Sequence, residues 1–143
     1  MIVHQLSIFA ENKPGSLARV TSILAREKVN IRATTIATSD TFGVISLIVD
    51  DPERACRVLT AEGLMVNLKD VIAVVIDDRP GGLDSLIQLL FKEKLNINNA
   101  YGFVLESSKT AVFVVDVDQI ERAQKLIEQG GYKLLDSKKL SSV

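Results

Sequence analysis

The stretch Glu11-Asn-Lys-Pro-Gly-Ser-Leu-Ala-Arg-Val-Thr-Ser-Ile-Leu-Ala-Arg-Glu-Lys-Val-Asn-Ile31 returns 66 positions later (from 11 to 77) as Asp77-Asp-Arg-Pro-Gly-Gly-Leu-Asp-Ser-Leu-Ile-Gln-Leu-Leu-Phe-Lys-Glu-Lys-Leu-Asn-Ile97. Pro14/Pro80, Gly15/Gly81, Leu17/Leu83, Leu24/Leu90, Glu27/Glu93, Lys28/Lys94, Asn30/Asn96 and Ile31/Ile97 match in one register, which chance does not produce over so short a span. The chain therefore reads as two copies of one supersecondary unit. In a chain of 143 residues each copy has about 70, near the lower limit at which a core stands alone, so the copies are expected to pack together or to dimerise. The expected boundaries are 1–69 and 70–143.

Working outward, Leu6, Ile8 and Phe9 interleave with Gln5 and Ser7 and predict a strand over residues 2–10. Pro14-Gly15 predicts a helix start, because proline gives up no hydrogen bond in a first turn, and Leu17, Val20 and Leu24 recur at helical spacing towards Lys28. The β-branched run Ile31–Ser39, a turn over Asp40–Gly43 and the apolar run Val44–Val49 predict a hairpin. Pro52 with Ala55, Val58 and Leu59 predicts a second helix stopped by Gly63, and Leu64–Leu68 a fourth strand. The second copy repeats the order: a strand over 71–76, a helix over 82–94, strands near 97–105 and 110–117, a helix led by Ile120 and Ala123, and a last strand from Tyr132. Arg122-Ala123 lies 68 positions after Arg54-Ala55 (122 against 54), so two extra residues belong to the second hairpin. The fold class that follows is α+β: two tandem ferredoxin-like βαββαβ units, with antiparallel sheets and helices on one face.

Composition narrows the function. Seventeen Lys and Arg stand against eighteen Asp and Glu, with the signs interspersed, so the basic face that a polyanion needs is missing and nucleic acid is not an expected partner. Apolar residues make up 47% of the chain, enough for a core in each copy, yet no run reaches the ~18 residues of a membrane span. The chain is expected to be soluble, with no membrane partner. A single cysteine, Cys56, and no basic-plus-apolar leader fit the cytoplasm, and one histidine with one cysteine leaves no basis for a transition-metal site. No catalytic residue, metal ligand or cofactor is expected. Asp50, Asp51 and Asp77 read as helix-start residues favoured by the dipole, and Cys56 as core.

A βαββαβ unit with Asn/Asp-x-Pro-Gly-x-Leu after its first strand and Asn-Ile after its first helix resembles the ACT domain, the amino-acid-sensing module of regulated metabolic proteins. The likeness covers nearly the whole chain, twice. The run from Leu6 to Val20 is similar in particular to the regulatory small subunit of acetolactate synthase and to the serine-sensing domain of phosphoglycerate dehydrogenase. The resemblance implies effector binding without catalysis. In the serine-sensing relatives the motif reads His-x-Asn-x-Pro-Gly, with a second asparagine before isoleucine. Ala10 stands at the histidine position here, with Asn12 and Asn30 at the asparagines, and the second copy has Ile76, Asp78 and Asn96. The missing histidine counts against serine, and the likeness to the acetolactate synthase subunit suggests branched-chain amino acids.

The candidate ligand-binding residues are Asn12, Pro14, Gly15, Ser16, Leu17 and Asn30 in the first copy and Asp78, Pro80, Gly81, Gly82 and Asn96 in the second. A free amino acid carries a carboxylate and an ammonium a few ångströms apart, and an asparagine amide offers a donor and an acceptor side by side. Unpaired N–H groups at a helix start favour an anion, and glycine lets a carboxylate approach. Asp78 would accept from an ammonium but repel a carboxylate, which predicts a weaker or differently tuned second site. A helix from Ser16 to Lys28 would be about 20 Å long, so Asn12 and Asn30 cannot hold one small ligand from the same unit. The site is expected between units, at a two-fold interface. The joint at Lys69-Asp70 is too short to let the second strands of both copies meet, so those edges are expected to pair between chains in a homodimer while the copies pack through their fourth-strand sides. The leading reading is a non-catalytic regulatory protein that binds an amino acid, with a metabolic enzyme as candidate partner. The alternative is a subunit-assembly module of a metabolic enzyme that holds no ligand.

Overall fold

The computed structural model of the chain describes residues 1–142. It contains two compact units, one spanning His4–Lys69 and the other running from Asp70 onward together with Met1–Val3. The three leading residues, expected with the first copy, group with the second because Ile2 packs against its core.

The first unit holds β1 (Val3–Glu11), α1 (Ser16–Arg26), β2 (Ile31–Ser39), β3 (Phe42–Val49), α2 (Pro52–Ala61) and the start of β4 (Met65–Asp77), in the strand order β2-β3-β1-β4. Antiparallel pairing sets Leu6 opposite Leu47 and Ile8 opposite Ile45, and period-2 alternation sends all four to one face. There they meet Val20 and Leu24 of α1 and Ala55 and Leu59 of α2, all buried. The second unit uses the rest of β4, then α3 (Gly82–Lys92), β5 (Ile97–Glu106), β6 (Thr110–Val117), α4 (Ile120–Gln129), β7 (Lys133–Leu135) and α5 (Ser137–Ser141). Here β6 lies between β4 and β5, and β7 pairs with β4 on its other side. Ile72, Val74, Leu86, Leu90, Val115 and Ile127 lead its core. Each unit is thus a ferredoxin-like βαββαβ module with its helices on one face.

Three details differ from the pattern in the sequence. Lys69-Asp70 is not a break: β4 runs through it, since neither residue is a glycine or proline that would turn the chain. The last strand is only three residues long and gives way to α5, whose start is capped by Asp136 accepting from the Lys139 N–H at 2.7 Å. One helical turn is too short to show a period. The first helix of each copy ends on a left-handed residue that its type does not suggest, Lys28 (φ 58°) or Lys94 (φ 56°). It folds the chain back so that the Val29 and Leu95 N–H groups donate to Leu24 and Leu90 carbonyls at 2.9 and 3.0 Å, with both apolar side chains buried.

The two extra residues of the second hairpin are accounted for. In the first, Ser39 pairs with Phe42 across the two-residue loop Asp40-Thr41. In the second the register slips between Val104 and Glu106, where Leu105 is the added residue, and the loop grows to Ser107-Ser108-Lys109. An ion pair also recurs: Arg54 to Glu27 at 3.4 Å and Arg122 to Glu93 at 2.8 Å tie the second helix of each unit to the end of the first.

Gly82 marks one place where the copies diverge. A Cβ there would run into the Asp77 carbonyl oxygen, whereas Ser16, its counterpart, turns its hydroxyl to the Glu11 carbonyl at 2.7 Å. Gly82→Ala should therefore destabilise the chain by about 1–3 kcal/mol through a forced backbone shift, read as a lower urea midpoint; an unchanged midpoint would contradict that packing.

Candidate functional site: the strand-to-helix corner

In both units the chain leaves its first strand and enters its first helix through four residues in a type II turn. Ser16 N–H donates to the Lys13 carbonyl at 3.3 Å and Gly82 N–H to that of Arg79 at 2.9 Å. At the third position Gly15 (φ 92°) and Gly81 (φ 85°) take a left-handed backbone that a side chain would strain. Pro14 and Pro80 stand ahead of the helix, not in its first turn as expected, because proline's fixed φ suits the second position of such a turn. Gly15 and Gly81 are the N-caps, and no side chain caps either helix. Their first-turn N–H groups leave a positive pole at each corner.

A second set of bonds ties the corner to the neighbouring hairpin. The Asn12 N–H donates to the Thr41 carbonyl at 2.8 Å and its side-chain amide to the Asp40 carbonyl at 2.9 Å. In the second unit the Asp78 N–H donates to the Lys109 carbonyl at 3.0 Å, and the Asp78 carboxylate accepts from the Ser108 N–H at 2.7 Å. The longer hairpin presents a donor where the shorter one presents an acceptor, so aspartate replaces asparagine. Both residues therefore pin the corner as well as bordering it.

Between this corner and the sheet edge the first unit has a cleft of about 80 Å³, with Asn12, Ser16 and Leu17 on one side and Ile36 and Thr38 of β2 on the other. Leu17 is 37% exposed and Ile36 46%, an apolar lining open to solvent. On the other side of the corner lies a broader cleft of about 490 Å³, bordered by Phe9, Arg19, Phe42 and Met65. Its counterpart in the second unit, about 380 Å³, is bordered by Arg79, Ser85 and Tyr132. Ion pairs Lys13–Glu11 and Arg79–Asp77, both 3.2 Å, balance the charge at the rim of each.

Asn30 and Asn96 are not brought to the corner of their own unit. Each follows the far end of its helix, 11 residues or about 16 Å away. Asn30 N–H donates to the Asp50 carboxylate at 3.0 Å, and Asn96 donates from its amide to Asn98 at 3.0 Å. Of the aspartates read as helix-start residues, Asp51 caps α2 through the Arg54 N–H, Asp50 serves Asn30, and Asp77 pairs with Arg79. Cys56 packs against the first core. Sequence reasoning passed over Ile36, Thr38 and Ile45; the available signal was one large apolar residue, Ile36, in the otherwise small and polar run from Ala33 to Ser39 of an edge strand. Among the described residues no group of three or more His, Cys, Asp or Glu side chains is placed to hold a metal ion, and no helix is long and apolar enough to cross a membrane.

The whole chain, residues 1–143, matches the family described as an ACT domain pair. A protein of known structure from Bacteroides thetaiotaomicron is 31% identical and superposes with a TM-score of 0.93, covering 100% of this chain and 98% of its own. The regulatory subunits of aspartate kinase from Thermus thermophilus and Thermus flavus, both 16% identical, share the fold with TM-scores of 0.64 and 0.61 over 90% of this chain and 96% and 93% of theirs. No curated protein sequence matches it.

Two outcomes follow for the corner and its surroundings. Asn12→Ala should cost about 0.5–1.5 kcal/mol, one net hydrogen bond, and Asn12→Asp more, since it sets a carboxylate against the Asp40 carbonyl; thermal unfolding of the two variants ranks them. On β5, burial and the nearby Asp116 carboxylate push the Tyr101 phenol well above its usual range. The folded state then holds its proton more tightly than the unfolded state, so stability is full below pH of about 10, the ordinary tyrosine value, and falls as the pH rises beyond it. Tyr101→Phe should flatten that alkaline loss in a pH series of melting temperatures.

Proposed function

Because the chain belongs to the family of paired ACT domains, we propose that it is a non-catalytic regulatory protein that binds a free amino acid at the strand-to-helix corner. The observation that carries this reading is the pairing of an uncapped helix start, Gly15 with no side chain, against an apolar cleft between Leu17 and Ile36. The first-turn N–H groups suit the ligand's carboxylate, and Gly15 leaves room for it, since nothing lies within 4 Å of where its Cβ would be. The cleft suits an apolar side chain. Asn30, remote from the corner of its own unit, would come from an adjoining module and offer its amide to the ammonium.

That geometry favours a homodimer. β2 is the edge of its sheet, and past the register shift at Arg32 it runs from Ala33 to Ser39 without a charge or proline and with Ile36 half-exposed, the kind of edge that pairs with another strand. Regulation would follow from a difference in ligand affinity between two assembly states of the protein or of an enzyme it contacts. A metabolic enzyme is the partner class, by likeness to the aspartate kinase regulatory subunits. One observation favours the assembly reading as well: Phe9 and Phe42, each nearly half-exposed, stack with ring centroids 5.2 Å apart, an apolar pair suited to a protein surface.

Titration calorimetry with the twenty amino acids tests the choice. Binding of at least one is expected with a Kd between millimolar and micromolar, roughly 4 to 8 kcal/mol, weakened by Asn30→Ala. If none binds below about 10 mM, the assembly reading replaces this one.

A further inference from the structure

The two corners differ at the spot where a ligand side chain would lie, and from this we propose that each chain has a single amino-acid site, in the unit His4–Lys69, sized for a side chain of about three heavy atoms. The inference rests on the amino-acid-binding reading and adds to it the number of sites and the class of ligand.

Ile36 of β2 pairs across the sheet with Ile45 of β3. The same place in the second copy (36 + 66 and 45 + 68) is taken by Gly102 paired with Phe113. Cross-strand partners share a face of the sheet, here the face that carries the helices. In the first unit the isoleucine pair and Leu17 leave a cleft of about 80 Å³. In the second, a Cβ added to Gly102 would stand 3.1 Å from Cδ2 of Phe113, so the ring lies over the glycine. An aromatic that covers a cross-strand glycine fills the space that the missing side chain leaves. The Phe113 ring, partly buried, also packs against the second core. Asp78 adds a carboxylate at that corner, where a ligand carboxylate would have to sit, while Asn12 is neutral.

Volume sets the ligand class. An apolar cavity of about 150 Å³ holds benzene, six carbons. A cleft of about 80 Å³ is roughly half of that, which suits the three side-chain heavy atoms of valine or threonine better than an aromatic ring. One methylene in an apolar pocket changes affinity by roughly 10- to 200-fold, so the discrimination is measurable.

The experiment is calorimetry on the whole chain with alanine, valine, threonine, leucine and phenylalanine. One site per chain is expected, with valine or threonine at least about tenfold tighter than phenylalanine. Ile36→Phe, at an edge position where a larger side chain can reach solvent, should weaken binding at least about tenfold, and Ile36→Ala should move the preference towards leucine at least about threefold. Circular dichroism melts confirm that both variants are folded. Two equal sites per chain, phenylalanine bound as tightly as valine, or indifference to both Ile36 substitutions in folded protein would each overturn the proposal while leaving amino-acid binding intact. Binding of no amino acid at all would remove the underlying reading with it.

Discussion

A left-handed glycine after a proline, set between a buried strand and a buried helix, is the constraint on which each half of the molecule depends. The turn reverses the chain within four residues, so that α1 returns across the sheet on the face that carries Leu6 and Ile8. It also leaves the helix without a capping side chain, because the residue that could supply one has none. Packing and site therefore come from one backbone geometry. A residue with a Cβ at Gly15 or Gly81 would strain the turn and crowd the place where an anion would sit.

Around that shared turn the copies have drifted in ways that compensate locally. The second hairpin has a bulge at Leu105 and one more loop residue than the first and offers the corner an N–H in place of a carbonyl, and Asp78 matches it where Asn12 matches the shorter loop. Ser16 reaches the Glu11 carbonyl, while Gly82 has no room for a side chain beside the Asp77 carbonyl. Gly102–Phe113 stands where the first copy has Ile36–Ile45. The first difference keeps the corner pinned, and the last lays the Phe113 ring over Gly102 beside it.

Much of this was legible beforehand because it rests on local rules. Period-2 and period-3.6 patterns place strands and helices, and the 66-against-68 offset assigns the extra residues to the hairpin that holds them. What was not legible depends on through-space arrangement or on very short elements. Pro14 reads equally as a helix start or as a turn residue until the φ of Gly15 is known. The structural bond of Asn12, with the Asp40 carbonyl 2.9 Å from its amide, has no sign in the sequence because it joins residues 28 positions apart. The αL positions at Lys28 and Lys94 escape notice because lysine is not the residue expected there. Ile36 could be recognised as part of a cleft only once Leu17 was found across from it.

The most direct test of binding at the strand-to-helix corner is an amide-resolved NMR titration of the whole chain with valine or threonine. Shifts should concentrate on the backbone N–H groups of Gly15, Ser16, Leu17 and Ile36, saturating together, while those of Gly81, Leu83 and Gly102 stay in place. Shifts centred on the broad cleft by Arg19 and Met65, or equal responses at both Pro-Gly turns, would contradict it.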